Sequence, residues 1–283
     1  GGPRRDLNGR TVGCYGPLVS GSNGGSFSRS EDDFSPNAVL TWQPSDEHML
    51  YVSYSEGFKG GGYQLWPVGG GALTAAEIEF DGETAESFEA GGKHTLLAST
   101  LQVNWSAWST EVQGLQVAAF DPVITAQNIV NAGQTTSEGV EGDFIWLPDA
   151  SHRISAAFAY TDATYDSYEG ANCYPGQTPE MGCVGGQQSL TGQSVSYAPE
   201  WQYIFSVDGA YSFAANMEWG WRAAYNWRDD QFIGTTNHPT ADVQEAYGKF
   251  NASLFLASAD GKWRVSLIGT NLNDENVGTG ANH

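Results

Sequence analysis

The chain is poor in positive charge. Only 12 Lys plus Arg stand against 33 Asp plus Glu in 283 residues, a formal charge of −21. That excess of carboxylate repels phosphate backbones, and no basic stripe with interleaved aromatics offsets it, so nucleic-acid binding is excluded. Long apolar runs are also missing. Nothing approaches the roughly 18 consecutive apolar residues of a membrane-spanning helix, and the one remaining way for a backbone to cross lipid with every N–H and C=O satisfied is a closed β-barrel. Cysteine is scarce, with three in all. No Cys-x-x-Cys pair exists and the five His are not set at ligand spacing, so a zinc site has no support. Cys173 and Cys183 lie in one Gly/Pro-rich stretch. They read either as a small disulfide-closed loop, which needs an oxidising compartment, or as two lone thiols. Cys14 is left over.

What is plentiful is aromatic residues and glycine: 10 Trp, 13 Tyr, 13 Phe and 36 Gly, in a chain of negative mean hydropathy. Amphipathic rings are wanted in number where a surface passes from lipid to water, as in the two girdles of a membrane barrel. Alternation of apolar and polar residues predicts about ten strands, near 33–43, 47–58, 83–96, 100–120, 134–147, 152–166, 194–212, 216–231, 246–258 and 262–274. Their connections are unequal. Pro44-Ser45-Asp46-Glu47, Pro148-Asp149-Ala150-Ser151, Phe213-Ala214-Ala215-Asn216 and Asp260-Gly261 read as tight turns, the last a hairpin signal. By contrast 59–82, 121–133, 167–193 and 232–245 read as long Gly/Asn/Thr/Pro-rich loops. Short turns on one side and long loops on the other match an outer-membrane barrel. The strand faces agree: Trp219, Trp221, Ala223, Tyr225 and Trp227 alternate with Glu218, Gly220, Arg222, Ala224, Asn226 and Arg228. Likewise Trp263, Val265 and Leu267 oppose Arg264 and Ser266, and Ile154, Phe158 and Tyr160 oppose Arg153, Ser155 and Thr161.

Two segments carry a resemblance. Tyr51-Val52-Ser53-Tyr54-Ser55-Glu56-Gly57-Phe58-Lys59, leaving the sheet at Gly60-Gly61-Gly62, resembles an upward barrel strand of TonB-dependent outer-membrane receptors. Arg264-Val265-Ser266-Leu267-Ile268-Gly269-Thr270-Asn271-Leu272-Asn273-Asp274-Glu275 is similar to their penultimate strand. Ser35–Trp42, just before the first, and Phe144–Pro148, between the two, look like downward strands. The resemblance covers 33–275 and implies an all-β, antiparallel up-and-down transmembrane β-barrel. This chain would be an incomplete arc of about ten strands, roughly strands 12 to 21 of about 22 around a plugged lumen. Residues 1–32 would be the preceding extracellular loop and 33–283 a partial barrel domain. The chain opens Gly1-Gly2-Pro3-Arg4-Arg5 without Met and stops at Asn282-His283, which reads as a piece cut at both ends. The family's plug, its energy-coupling box and its final aromatic-ended strand are not seen in this sequence.

Chemistry beyond capture is thin. The glycines of Gly57-x-x-Gly60-Gly61-Gly62 follow no phosphate-cradle pattern, because no lysine and no helix come after them. Asn104-Trp105-Ser106 and Asn251-Ala252-Ser253 match a glycosylation acceptor only by chance, inside strands. Glu31-Asp32-Asp33, Glu141/Asp143 and Asp229-Asp230 read as solvated loop or lumen charge rather than acid/base pairs or calcium ligands. No catalytic constellation, metal site or cofactor site is expected, and the chain is not read as an enzyme. The resemblance implies an importer, in the Gram-negative outer membrane, of a bulky scarce nutrient such as a siderophore–metal chelate. It would be bathed in lipid and lipopolysaccharide and driven by a TonB-type energy-coupling protein acting through a plug. The loop residues expected to touch ligand are Tyr63, Gln64, Trp66, Tyr165, Tyr168, Tyr174, Asn237 and His238. The alternatives are a passive outer-membrane porin and a secreted carbohydrate-binding β protein.

Overall fold

The computed structural model describes residues 28–64, 78–121, 126–214 and 216–280. The strands, in chain order, are β1 (Asn37–Ser45), β2 (His48–Lys59), β3 (Gly62–Tyr63), β4 (Glu79–Phe80), β5 (Glu83–Leu96) and β6 (Leu101–Gln113). There follow β7 (Gln116–Asp121), β8 (Ala126–Asn131), β9 (Gln134–Trp146), β10 (His152–Ser167), β11 (Glu169–Asn172) and β12 (Gln187–Ser189). The last are β13 (Trp201–Phe213), β14 (Met217–Arg228), β15 (Gln231–Phe232), β16 (Val243–Gln244), β17 (Tyr247–Ser258) and β18 (Arg264–Gly269). Ten of them form one antiparallel sheet in the order β1-β2-β5-β6-β9-β10-β13-β14-β17-β18, a meander in chain order whose two outer strands remain edges. The other eight pair off as four two-stranded ribbons, β3-β4, β7-β8, β11-β12 and β15-β16. Each ribbon sits in one of the long loops, so all four rise from the same end of the wall. No second sheet packs face to face on the wall among the described residues, which removes the β-sandwich. Among the described residues no helix is long and apolar enough to cross a membrane, which says nothing of strands.

Register assigns the two faces. The period of a strand is two, so cross-strand partners share a face. Leu50 pairs Gly92, Gly92 pairs Trp105 and Trp105 pairs Gly142. Gly142 pairs Phe158, Phe158 pairs Tyr203 and Tyr203 pairs Trp227. Following every ladder this way collects Trp42, Val52, Phe88, Trp146, Phe205, Trp219, Leu254 and Leu267 onto the same side. The large hydrophobic side chains of the wall that stay exposed are almost all on that side; Val39, Ile204 and Ile268 are the exceptions. An apolar face left in the open by ten strands is what a lipid-facing surface requires, because lipid replaces the missing protein core. Its rings gather into two tiers. Tyr211 stacks on Trp219 at 4.9 Å near the short turns, while Tyr203 stacks on Trp227 at 5.0 Å and Tyr160 lies 4.8 Å from Trp201 near the ribbons. Between the tiers lie smaller groups such as Ala107, Val140, Ala156, Val207 and Ala223.

Three strand boundaries depart by five residues or more from the sequence expectation, each for a local reason. The predicted 100–120 strand is two, because Gly114 turns left-handed (φ 68°) and its carbonyl accepts from Asn131 Nδ2, so the chain leaves the wall to start β7. Residues 194–200, predicted as strand, instead cross the end of β10, where Val195 N–H donates to Ala163 O and Tyr197 adopts φ 64°. The strand predicted to reach 274 ends at Gly269. Beyond it Asn271 N–H donates to Asn251 Oδ1 and Asn273 Oδ1 accepts from Phe250 N–H, so side chains replace the ladder.

Candidate functional site

Two regions can meet a ligand: the rim of ribbons and the polar face of the wall. The rim is knitted together. Gln64 grips the backbone of Ile129 in β8 with both ends of its amide, Nε2 to Ile129 O and Oε1 from Ile129 N–H, each 2.9 Å. Asn131 accepts from Asp81 N–H and donates to Gly114 O and Asp81 O, joining the first two loops. Arg29 ties the segment before β1 to the same place through Glu31 and, at 2.7 Å, Glu79. Multiple carboxylates around one guanidinium raise its already high pKa, Glu31 most.

Beneath the β11-β12 ribbon lies the tightest apolar cluster of the described residues: Ala132, Tyr165, Tyr168, Ala171 and Leu190. Tyr165 and Tyr168 sit 5.1 Å apart, centroid to centroid, and are 5% and 4% exposed. Burial pushes the Tyr168 phenol up to about 12. Both rings therefore support the loop from inside. Above them Cys173 and Cys183 are joined by a disulfide, with Cα atoms 5.7 Å apart. Tyr174 follows directly, its ring 4.5 Å from that of His238 in the next loop. Backbone N–H groups of Thr240 and Ala241 both donate to His238 Nδ1, which puts the ring proton on Nε2. Asn237, left-handed at φ 49° and buried, donates through Nδ2 to Ser194 O and accepts from Ser196 Oγ.

Of the expected ligand contacts, the structure thus brings Tyr174 and His238 together at the rim. Tyr63 lies half-buried in β3, opposite Glu79. Gln64 and Asn237 are engaged by backbone, and Tyr165 and Tyr168 are interior. Trp66 lies outside the described residues, as do Cys14 and most of 1–32.

The polar face was not singled out for binding by sequence reasoning, although the strand alternation held the signal. Seven of the 12 Lys and Arg are on it: Lys59, Lys93, Arg153, Arg222, Arg228, Lys249 and Arg264, by the same register. Its hydrogen bonds run across strands: Tyr51 to Glu89, Ser106 to Glu141 at 3.2 Å, Asn104 to Asp143 at 3.0 Å, Ser155 with Ser206 at 2.8 Å, and Arg222 to Ser206 at 3.1 Å. A hollow of about 670 Å³ runs along this face from Tyr51 to Lys249. A polar concave side backed by an apolar outer side is the cross-section of a barrel with a wet lumen.

The profile of the family described as "TonB dependent receptor-like, beta-barrel" matches residues 7–272. The chain belongs to the TonB-dependent receptor family. Its barrel segment is 25% identical over 173 residues to a probable TonB-dependent siderophore receptor, PiuA, of Acinetobacter baumannii, covering 60% of this chain and 22% of the relative. Among solved structures, the ferric yersiniabactin uptake receptor FyuA from Yersinia pestis superposes with a TM-score of 0.66 at 17% identity, over 86% of this chain and 33% of that one. The siderophore receptor PiuA from A. baumannii gives 0.60 at 20% identity, over 87% and 32%. At those identities the structures establish the fold. The TonB-dependent receptor barrel seen here spans about a third of the length of these solved receptors, and receptors of this family reside in the Gram-negative outer membrane.

Proposed function

We propose that this chain supplies wall and outer rim to an outer-membrane importer that captures a bulky, scarce nutrient such as a siderophore–metal chelate. In this reading the ligand docks among the ribbons, with Tyr174 and His238 as ring contacts and with Tyr63 and Trp66 as further contacts. Gln64, Asn237, Tyr165 and Tyr168 hold those contacts in place. A TonB-type inner-membrane protein drives passage by acting on a plug in the lumen. The apolar belt contacts lipid and the ribbon end faces lipopolysaccharide. This is a transport receptor, with no reaction assigned to it.

The observation that carries the reading is the single register that separates an apolar outer belt from a polar inner wall beneath four interlocked ribbons. Membership of the receptor family supports the direction of transport. The test is iron-limited growth of cells whose full-length receptor is the sole outer-membrane route, supplied with a panel of ferric chelates. At least one chelate should restore growth, and deleting the TonB-type protein should abolish the rescue. Growth that is indifferent to that deletion would favour a passive pore instead.

A further inference from the structure

We propose that the apolar side of the wall holds one phospholipid with a zwitterionic, ammonium-bearing headgroup in a defined site at its short-turn end. The polar part of the site is a pair of histidines. His48 and His94 stand directly opposite each other on β2 and β5, two residues from Leu50 and Gly92 and so on the same side as them. Their Nδ1 atoms are 3.0 Å apart, and Trp105 Nε1–H donates to His94 Nε2 at 3.2 Å. A neutral imidazole has one donor and one acceptor. His94 Nε2 accepts from the indole, so the His94 proton sits on Nδ1 and goes to His48 Nδ1, which leaves the His48 proton on Nε2. That N–H ends a chain of three rings polarised in one direction, and it has no acceptor among the described residues. Both wall neighbours of the pair, β1 and β6, are in place, and a plug would occupy the other side of the wall.

Trp105 is also one wall of an apolar hollow of about 560 Å³, shared with Leu101, Val103, Phe144, Trp146 and Phe158. Gly142, which has no side chain, stands between Trp105 and Phe158 in the ladder. The hollow starts at Leu97 and Leu101, beside the turn between β5 and β6, and runs toward mid-wall. An acyl chain takes that direction when its headgroup lies at the turns. The donor at His48 Nε2 suits a phosphodiester oxygen. The turn that leads into His48 carries two exposed carboxylates, Asp46 and Glu47, and the Ser45 hydroxyl above all holds the Glu47 carboxyl below its ordinary pKa and therefore ionised. Carboxylates beside the phosphate donor repel a headgroup that is only anionic and attract one that also carries an ammonium. Short turns face the periplasm in outer-membrane barrels, so the lipid is one of the inner leaflet. The assignment rests on the reading of the apolar belt as lipid-facing.

Native mass spectrometry of the purified full-length receptor in detergent, stripped of lipid and titrated with phosphatidylethanolamine or phosphatidylglycerol, tests it. One phosphatidylethanolamine should bind more tightly than any phosphatidylglycerol. His48→Leu should lose roughly tenfold in affinity, and Val103→Trp, which fills the hollow, should weaken both lipids alike. Glu47→Gln changes only an exposed turn residue, so the barrel still assembles, and it should bind phosphatidylethanolamine with no preference over phosphatidylglycerol. Leu254→Ala, on the lipid-facing side of β17 outside the hollow, should bind as the parent does. Equal affinity of the parent for the two lipids, or parent-like binding by both His48→Leu and Val103→Trp, overturns the site while leaving the lipid-facing belt standing. A receptor that stays monodisperse without detergent and takes up neither lipid would sink the belt, and the site with it.

Discussion

Glu56 stands directly opposite Glu86, and Glu86 directly opposite Glu111, on the outward face of three neighbouring strands. The same face carries Glu138 opposite Asp162 on β9 and β10. These carboxylates sit just past the apolar belt toward the ribbons. Like charges facing each other across a ladder destabilise by roughly 0.2–1 kcal/mol per pair. Glu86, in the middle of its row, opposes two. Glu86→Gln in the full-length receptor should therefore raise the temperature at which the heat-modifiable barrel unfolds on gels, with the gain shrinking at high salt. A lower midpoint would show that the row is held by counter-ions.

The register assigns Ala223 to the lipid side, between Val207 and Ala252, and Ala224 to the lumen, between Ser206 and Asn251. A buried arginine on the lipid side costs roughly 2–4 kcal/mol at mid-depth, whereas the lumen is wet. Ala223→Arg should cut the yield of assembled receptor far more than Ala224→Arg. Equal yields would reverse or erase the assignment of faces.

The turn between β9 and β10 offers a pH test. Asp149 Oδ1 accepts from Ser151 N–H at 2.8 Å and His152 N–H at 3.0 Å, and the carboxylate pairs with the His152 ring at 2.9 Å. The backbone bond from Ser151 first, then His152, hold its pKa below the ordinary value. A depressed carboxylate stabilises above its unfolded pKa of about 3.9, and that contribution disappears as pH falls through the lower folded value. The parent should outlast Asp149→Asn in thermal unfolding at pH 6, and the two curves should converge below pH ~3. A gap that persists in acid would show that the turn does not depend on the charge.

Leu97, Ala98 and Ser99, joining β5 to β6, all take left-handed backbone, with φ 50°, 52° and 70°. An L-residue pays roughly 1–2 kcal/mol in that region, glycine almost nothing. Ala98→Gly, at an exposed position, should stabilise the assembled barrel by about 1 kcal/mol, measured as a higher urea midpoint. Destabilisation would mean that the turn relaxes in the membrane.

The Cys173–Cys183 bridge closes the loop that carries Tyr174. On intact cells these thiols should resist a membrane-impermeant alkylating reagent until a reductant is added, and reduction should loosen Tyr174 from His238. Prompt labelling without reductant would show free thiols.

Strand pairing was readable in advance because most wall strands alternate over nine or more residues, β18 with six being the short one, and register is fixed at the short-turn end. Val52, Tyr54 and Glu56 announce their side by parity alone. The ribbons were not readable. β3, β4, β15 and β16 are two residues long, too short for any period, and they exist through long-range ties such as Gln64 to Ile129. Tyr165 and Tyr174 were not told apart either, because burial at the end of a strand depends on what packs there: Ala132, Ala171 and Leu190 make Tyr165, at the end of β10, interior, while Tyr174 stays at the rim.

Two solvents acting on alternate residues of one strand also divide the chain's freedom to diverge. Even positions of β14 can change with what they face on the polar side while odd positions answer to lipid, and neither change disturbs the backbone ladder between them. A wall built this way can change one side at a time without losing its pairing, and a solved receptor at 17% identity keeps the same wall with a TM-score of 0.66.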